Sequence, residues 1–154
     1  EPYRRQRQMC IRDRFNDLYA MFGRETYCRL FPVILTDRGS EFSNPVPIEQ
    51  DENDELRSLV FYCNPSAPYQ KGGIEVAHEL VRRVLPKGKS FDDLQQEDID
   101  LMLSHINSYK RGKLNSRSAY QLFNFIYGDD ILPKLNIREI EANDIVLSPK
   151  LLKK

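Results

Sequence analysis

Two carboxylates stand out for where the sequence puts them. Asp37 ends the apolar run Val33-Ile34-Leu35-Thr36 and precedes the turn Arg38-Gly39, with a second acid, Glu41, four residues on. Glu75 opens a helix that the spacing predicts over residues 74–85. Ile74, Ala77, Val81, Val84 and Leu85 form its apolar stripe, and Glu75, Glu79 and Arg82 recur on the opposite side. In open α/β sheets, ligands gather at the carboxyl ends of strands. Two carboxylates converging there make a hard oxygen site suited to Mg²⁺ or Mn²⁺. A pair of such ions about 3.5–4 Å apart activates a hydroxyl and stabilises the leaving oxygen in phosphoryl transfer. Each residue also has a local role open to it. An aspartate before glycine closes an Asx turn, and acids favour the first turn of a helix because they complement its dipole.

The remaining candidates are cations. Lysine plus arginine and aspartate plus glutamate both number 23, so the net charge is zero, which excludes a generic basic DNA-binding module. The charge is nevertheless segregated. Residues 41–57 hold six acids against one arginine, whereas 81–89 and 110–117 hold four basic residues each and no acid. Contact with an anionic backbone is therefore expected to be local. Lys71 beside Gly72-Gly73, His78 one turn from Glu75, Arg82, Arg83, Lys87 and Lys89 form one candidate set, and Lys110, Arg111 and Lys113 a second. Arginine suits such contacts because it binds phosphate with two hydrogen bonds. The alternatives are a solvated basic face and, for His78, pairing with Glu75 or Glu79. Glu41 is expected to be structural, Asn107 to be a hydrogen-bonding residue on a helix surface, and Cys28 and Cys63 to be small core residues.

The elements that must position these groups follow from periodicity. Phe15, Leu18, Tyr19 and Phe22 share a helical face that Gly23 ends. Residues 33–36 and 59–63 read as buried strands, 43–57 as an acidic loop and 64–73 as a second loop. A helix is expected from about Glu97 to Tyr109, burying Ile99, Met102, Leu103 and Ile106. Another is expected from about Ser118 to Tyr127, packing Tyr120, Leu122, Phe123 and Ile126. The tail is expected to form one short strand and then fray. A chain of 154 residues suits one domain with a small appendage. No apolar run approaches the roughly 18 residues of a membrane span. Three cysteines without CxxC spacing argue against a zinc site and fit a reducing cytoplasm.

Residues 1–14 stand apart, with five arginines against two acids and no periodicity. The string Gln8-Met9-Cys10-Ile11-Arg12-Asp13 resembles the translation of an adapter used to prepare sequencing libraries, so this segment is set aside as an assembly scar or a disordered basic arm.

Three separated blocks, "LTDRGSEFSNP", "VFYCNPSAPYQKGGIEVAHELVRRVLPKGKSF" and "HINSYKRGKLN", resemble in order the integrase-core region of bacterial insertion-sequence transposases, above all the IS-thirty family. The resemblance runs over residues 15–154. It implies an α/β, ribonuclease-H-like core (residues 15–127) that is incomplete, its opening strands being absent, followed by a helical C-terminal extension (128–154). It also implies two divalent metals held by an Asp, Asp, Glu triad. Asp37 matches the second member and Glu75 the third. The first has no counterpart, since Asp13 falls in the segment set aside and Asp17 falls inside a helix. Val76-Ala77 stand where the family usually has Asn after the Glu, and Asn64 stands where Asp commonly precedes the Pro. The implied activity is DNA transposition by a homo-oligomer on DNA, with this chain inactive by itself. The alternatives are a non-catalytic DNA- or partner-binding fragment and another ribonuclease-H-like nuclease. A sheet without its opening strands is expected to leave the chain poorly soluble or partly disordered.

Overall fold

The computed structural model describes residues 2–152. Glu1, at the start of the segment set aside, and Lys153 and Lys154, at the end of the C-terminal extension, lie outside the described residues. The chain is mixed α/β and divides at Gly72/Gly73 into two compact units. Among the described residues no helix is long and apolar enough to cross a membrane.

The first unit opens with α1, Pro2–Leu30, two helical stretches that meet at Gly23, whose non-helical backbone (φ 74°, ψ 163°) ends the first of them as expected. That positive φ is open to glycine at little cost. The helix resumes because Tyr27, beyond the kink, is fully buried against Tyr19 and Phe31, with ring centroids 5.1 and 5.0 Å away. Strands β1 (Val33–Thr36) and β2 (Leu59–Tyr62) pair in parallel, Val33 opposite Leu59 and Thr36 opposite Tyr62.

The acidic segment between the strands is more ordered than a loop. It holds a 3-10 turn at Ser40–Phe42, helix α2 at Val46–Glu49 and a bridge between Gln50 and Leu56. Three side chains fix it. Glu49 Oε1 accepts the Val60 N–H at 2.8 Å. Asp51 accepts the Tyr19 hydroxyl at 2.8 Å, and this bond leads the effects that hold its carboxyl below the usual range. Arg57, buried at 3% exposure, donates Nε to Ile48 O and Nη2 to Pro47 O, both at 3.0 Å. Its guanidinium also lies 5.2 and 5.6 Å from the ring centroids of Tyr19 and Tyr27.

The expectation of buried strands is corrected. Val33 (53%), Leu35 (41%), Leu59 (43%) and Phe61 (53%) are exposed. Alternation along each strand and the parallel register put all four on one face, and no element among the described residues covers it. Parallel sheets are ordinarily covered on both faces. Cys63 is buried and Cys28 half-buried.

The second unit is built on α3 (Gly72–Val84) and α4 (Gln96–Ser108). Its core is Leu80, Val84, Met102 and Ile106, flanked by Val76, Val81, Leu85 and Ile99. The apolar line of α3 is thus Val76-Leu80-Val84, while Ile74, expected on it, is exposed. Strands β3 (Lys110–Arg111) and β4 (Arg117–Ser118) form a small antiparallel hairpin. Helix α5 (Ala119–Tyr127) starts at Ser118, whose hydroxyl accepts the Gln121 N–H at 3.1 Å. Ile126, expected to pack, is 62% exposed because the core lies on the other side of α5. A short helix α6 (Ile131–Lys134) follows.

The tail forms no strand among its described residues. It returns to the core, where Leu147, Leu151 and Leu152 pack. Polar side chains along α4 receive it: Ser104 Oγ accepts the Arg138 N–H (3.2 Å), Ser108 Oγ the Ile140 N–H (2.9 Å) and His105 Nδ1 the Val146 N–H (3.1 Å). His105 is buried, and burial, reinforced by Arg138, lowers its pKa.

Two predictions follow the packing. The buried Tyr27 hydroxyl makes no well-formed hydrogen bond, only a weak interaction with Ser58, so Tyr27→Phe is expected to raise stability by up to about 1 kcal/mol, whereas Arg57→Ala, which orphans one buried and one half-buried carbonyl, is expected to lower it by about 3 kcal/mol. Urea melts of the two variants check this, and a destabilised Phe variant would contradict it. The second concerns acid. Because the folded His105 pKa lies below its unfolded value of about 6.5, its contribution is complete above that pH and is lost as pH falls through the folded value. The urea midpoint of the second unit is therefore expected to drop below about pH 6.5, and His105→Gln to flatten that part of the profile.

Candidate functional site

Asp37 is the first residue beyond β1, following buried Thr36. Its side chain is 63% exposed. Oδ1 accepts the Gly39 N–H at 3.1 Å, forming the Asx turn, and Oδ2 lies 3.5 Å from the Lys71 ammonium. The local role and an outward-facing carboxylate therefore coexist, since the turn engages one oxygen and leaves the other toward a cation.

Glu41 returns to the same place. A Cβ on Gly39 would stand 2.8 Å from Glu41 Oε2 and 3.0 Å from Asp37 Oδ1, so glycine is what lets the two carboxylates flank this turn. The Ser40 hydroxyl donates to Glu41 Oε2 at 3.4 Å, and Arg7 lies 3.5 Å from Oε1. Glu41 is thus partnered within the turn. Lys71 reaches Asp37 because the loop after β2 folds back. Gln70 Oε1 accepts the Asn64 N–H at 2.8 Å, and a 3-10 turn spans Pro68–Lys71.

The other expected residues belong to the second unit. Glu75 lies exposed in the first turn of α3, where it complements the dipole. The residues expected to follow phosphates separate onto two sides of this helix. His78 and Arg82 line a cleft of about 390 Å³ with Lys87, Lys89 and Phe91, the turn being made by Gly88 at φ 89°. Arg83 and Glu79 line a second cleft of about 490 Å³, facing Tyr109, Lys110, Arg111 and Lys113. Helical spacing puts Glu75 on the ridge between the 78/82 side and the 79/83 side. No hydrogen bond joins His78 to Glu75 or Glu79. Glu79 pairs instead with Arg83 at 2.9 Å, and that bond leads the effects that raise the Arg83 pKa, with Tyr109 contributing. Asn107 donates to Leu103 O within α4.

Tyr109, which lines the second cleft, escaped sequence inspection. The signal available was an aromatic immediately before Lys110-Arg111 inside a basic run. Among the described residues no three His, Cys, Asp or Glu side chains stand close enough to hold a metal ion together. The donors that fit a hard dication are the free oxygen of Asp37, already facing a cationic group, and the exposed carboxylate of Glu75.

No protein-family model and no solved structure matches the chain. Among curated proteins, 63 residues (41% of the chain) are 35% identical to the transposase for insertion sequence element IS1086 of Cupriavidus metallidurans, over 19% of that protein. Ninety-four residues (61% of the chain) are 27% identical to the transposase for insertion sequence element IS4351 of Bacteroides fragilis, over 28% of it. Transposase InsI for insertion sequence element IS30A of Escherichia coli is 27% identical over 63 residues, 16% of its length. The chain matches less than a third of each of these relatives, and what it resembles in each is a transposase of an insertion sequence.

Proposed function

We propose that this chain is part of a DNA transposase whose complete form hydrolyses a phosphodiester at the end of a mobile element and joins the resulting 3′-hydroxyl to target DNA. The likeness of 63 of its residues to the IS1086 transposase carries this reading. On it, residues 15–127 belong to a ribonuclease-H-like core, and Asp37 and Glu75 are two of three carboxylates that hold Mg²⁺ or Mn²⁺.

When bound, the metal supplies a polarised oxygen nucleophile and charge neutralisation at the phosphate. The chain's own residues do the positioning. The Asx turn holds Asp37 Oδ1 and leaves Oδ2 available. Lys71, paired with Asp37 at 3.5 Å, would be free to contact a DNA phosphate were that carboxylate to hold a dication. His78, Arg82, Lys87 and Lys89 follow the backbone beside Glu75, and Arg82 can grip a phosphate with two bonds. Such contacts position the duplex without reading its sequence. The triad's first Asp has no counterpart among these residues, so on this reading the chain by itself binds DNA without cutting it. The complete protein works as a homo-oligomer on paired ends.

Incubating the chain with end-containing DNA and Mg²⁺ or Mn²⁺ is expected to give no nicking. Restoring the upstream strand is expected to give nicking that Asp37→Asn or Glu75→Gln lowers at least 1,000-fold (roughly the scale of removing a catalytic metal ligand), with DNA binding intact. Cleavage retained in either variant would sink the assignment. Preference for an RNA–DNA hybrid would favour a different ribonuclease-H-like nuclease.

A further inference from the structure

The cleft of about 490 Å³ beside α3 has its own chemistry. Val76 and Leu80 lie at its apolar side, and Tyr109 and the turn from Lys110 to Leu114 form the opposing wall. Its volume falls within the roughly 300–1,000 Å³ of small-ligand sites, too small for a duplex and enough for one unstacked nucleotide. Four cations, Arg83, Lys110, Arg111 and Lys113, line it against a single acid, Glu79, which Arg83 already engages at 2.9 Å. Among the described residues, Lys110, Arg111 and Lys113 have no carboxylate partner. Arg111 Nε is buried without any hydrogen-bond acceptor. A buried guanidinium donor left unmade is costly, and a phosphate oxygen is the acceptor whose geometry and charge suit it. Tyr109, 38% exposed, is one of the lining residues and is tied to Arg83.

We propose that this cleft binds one nucleotide of single-stranded DNA, with the base stacked on Tyr109 and the phosphate held by Arg111 and its lysine neighbours. The choice of a nucleic-acid strand over another anion rests on the transposition reading. The site itself rests on the cleft, the orphaned Arg111 donor and the unpaired cations. It lies on the side of α3 away from His78, Arg82, Lys87 and Lys89. One helix therefore serves two nucleic-acid surfaces, a duplex track and a single-strand pocket, with Glu75 on the ridge between them. Aromatic stacking under a basic groove is the common means of holding single strands.

The test is fluorescence anisotropy of the 154-residue chain with a labelled short oligothymidylate and, separately, a mixed-sequence duplex. Tyr109→Ala is expected to weaken single-strand binding about tenfold while duplex affinity stays within about twofold, since stacking contributes roughly 1–3 kcal/mol per base. Tyr109→Phe is expected to restore it, which separates stacking from a folding defect. Arg111→Gln is expected to weaken it and to lower the salt slope for single strands by about one. Lys87→Ala with Lys89→Ala is expected to reduce duplex binding alone. Equal losses on both DNAs, a Phe variant as weak as Ala, or no single-strand binding by the parent chain would overturn the pocket. Thymidine monophosphate competing as well as the strand would make it a mononucleotide site and would also overturn it. Absence of nicking by the lengthened protein would sink the transposase reading while leaving these affinities untouched, so the two failures are distinguishable.

Discussion

The first unit depends on four rungs of parallel backbone pairing between β1 and β2. Parallel pairing sets the carboxyl ends of both strands side by side, so Asp37 leaves the sheet next to the chain that follows Cys63. Without that register, Lys71 would have no reason to meet Asp37. A parallel pair also requires a crossover, and here it is the acidic segment, too short of apolar residues to pack as a long helix. Polar anchors secure it instead: Arg57 buried under two tyrosines, Asp51 held by Tyr19, and Glu49 on the outer edge of β2. The result is a turn stiff enough to present a carboxylate, built on a sheet of only two strands.

That economy leaves a face of Val33, Leu35, Leu59 and Phe61 open to solvent. The open face would suit the proposed transposase core, and it is the physical basis for expecting poor solubility. In the second unit, α3, α4 and the returning tail enclose one apolar cluster. Its hydroxyls and imidazole along α4 receive tail N–H groups that would otherwise be buried without partners.

Much of this was legible in the sequence, for identifiable reasons. The strands at 33 and 59, and helices α3, α4 and α5, announce themselves by apolar runs and helical spacing, because these segments are long enough for a period to register. The strands β3 and β4 have two residues each, too few for any pattern, so the hairpin that shapes the larger cleft was invisible. The α3 stripe was misplaced by Ile74, an apolar residue at the helix start that faces solvent. Sequence spacing also could not show that Arg82 and Arg83, adjacent in the chain, line different clefts, with Arg83 bonded to Glu79. His105 hid because a polar residue on an apolar face has no periodic signature. Its role depends on an N–H donor 41 residues away. Asp37 and Glu75 drew attention by their positions at a strand end and a helix start, and the Asx turn and the exposed first-turn position match the local roles foreseen for each.

The proposal stands or falls on whether Asp37 and Glu75 grip a common divalent ion. Paramagnetic broadening by Mn²⁺ in amide NMR spectra of the chain tests it most directly, because the ion erases signals only near itself. The account predicts that amides flanking both residues fade together over one range of Mn²⁺ concentration, and that Asp37→Asn or Glu75→Gln alone restores both groups of signals. Two independent groups, each restored only by its own substitution, would contradict it.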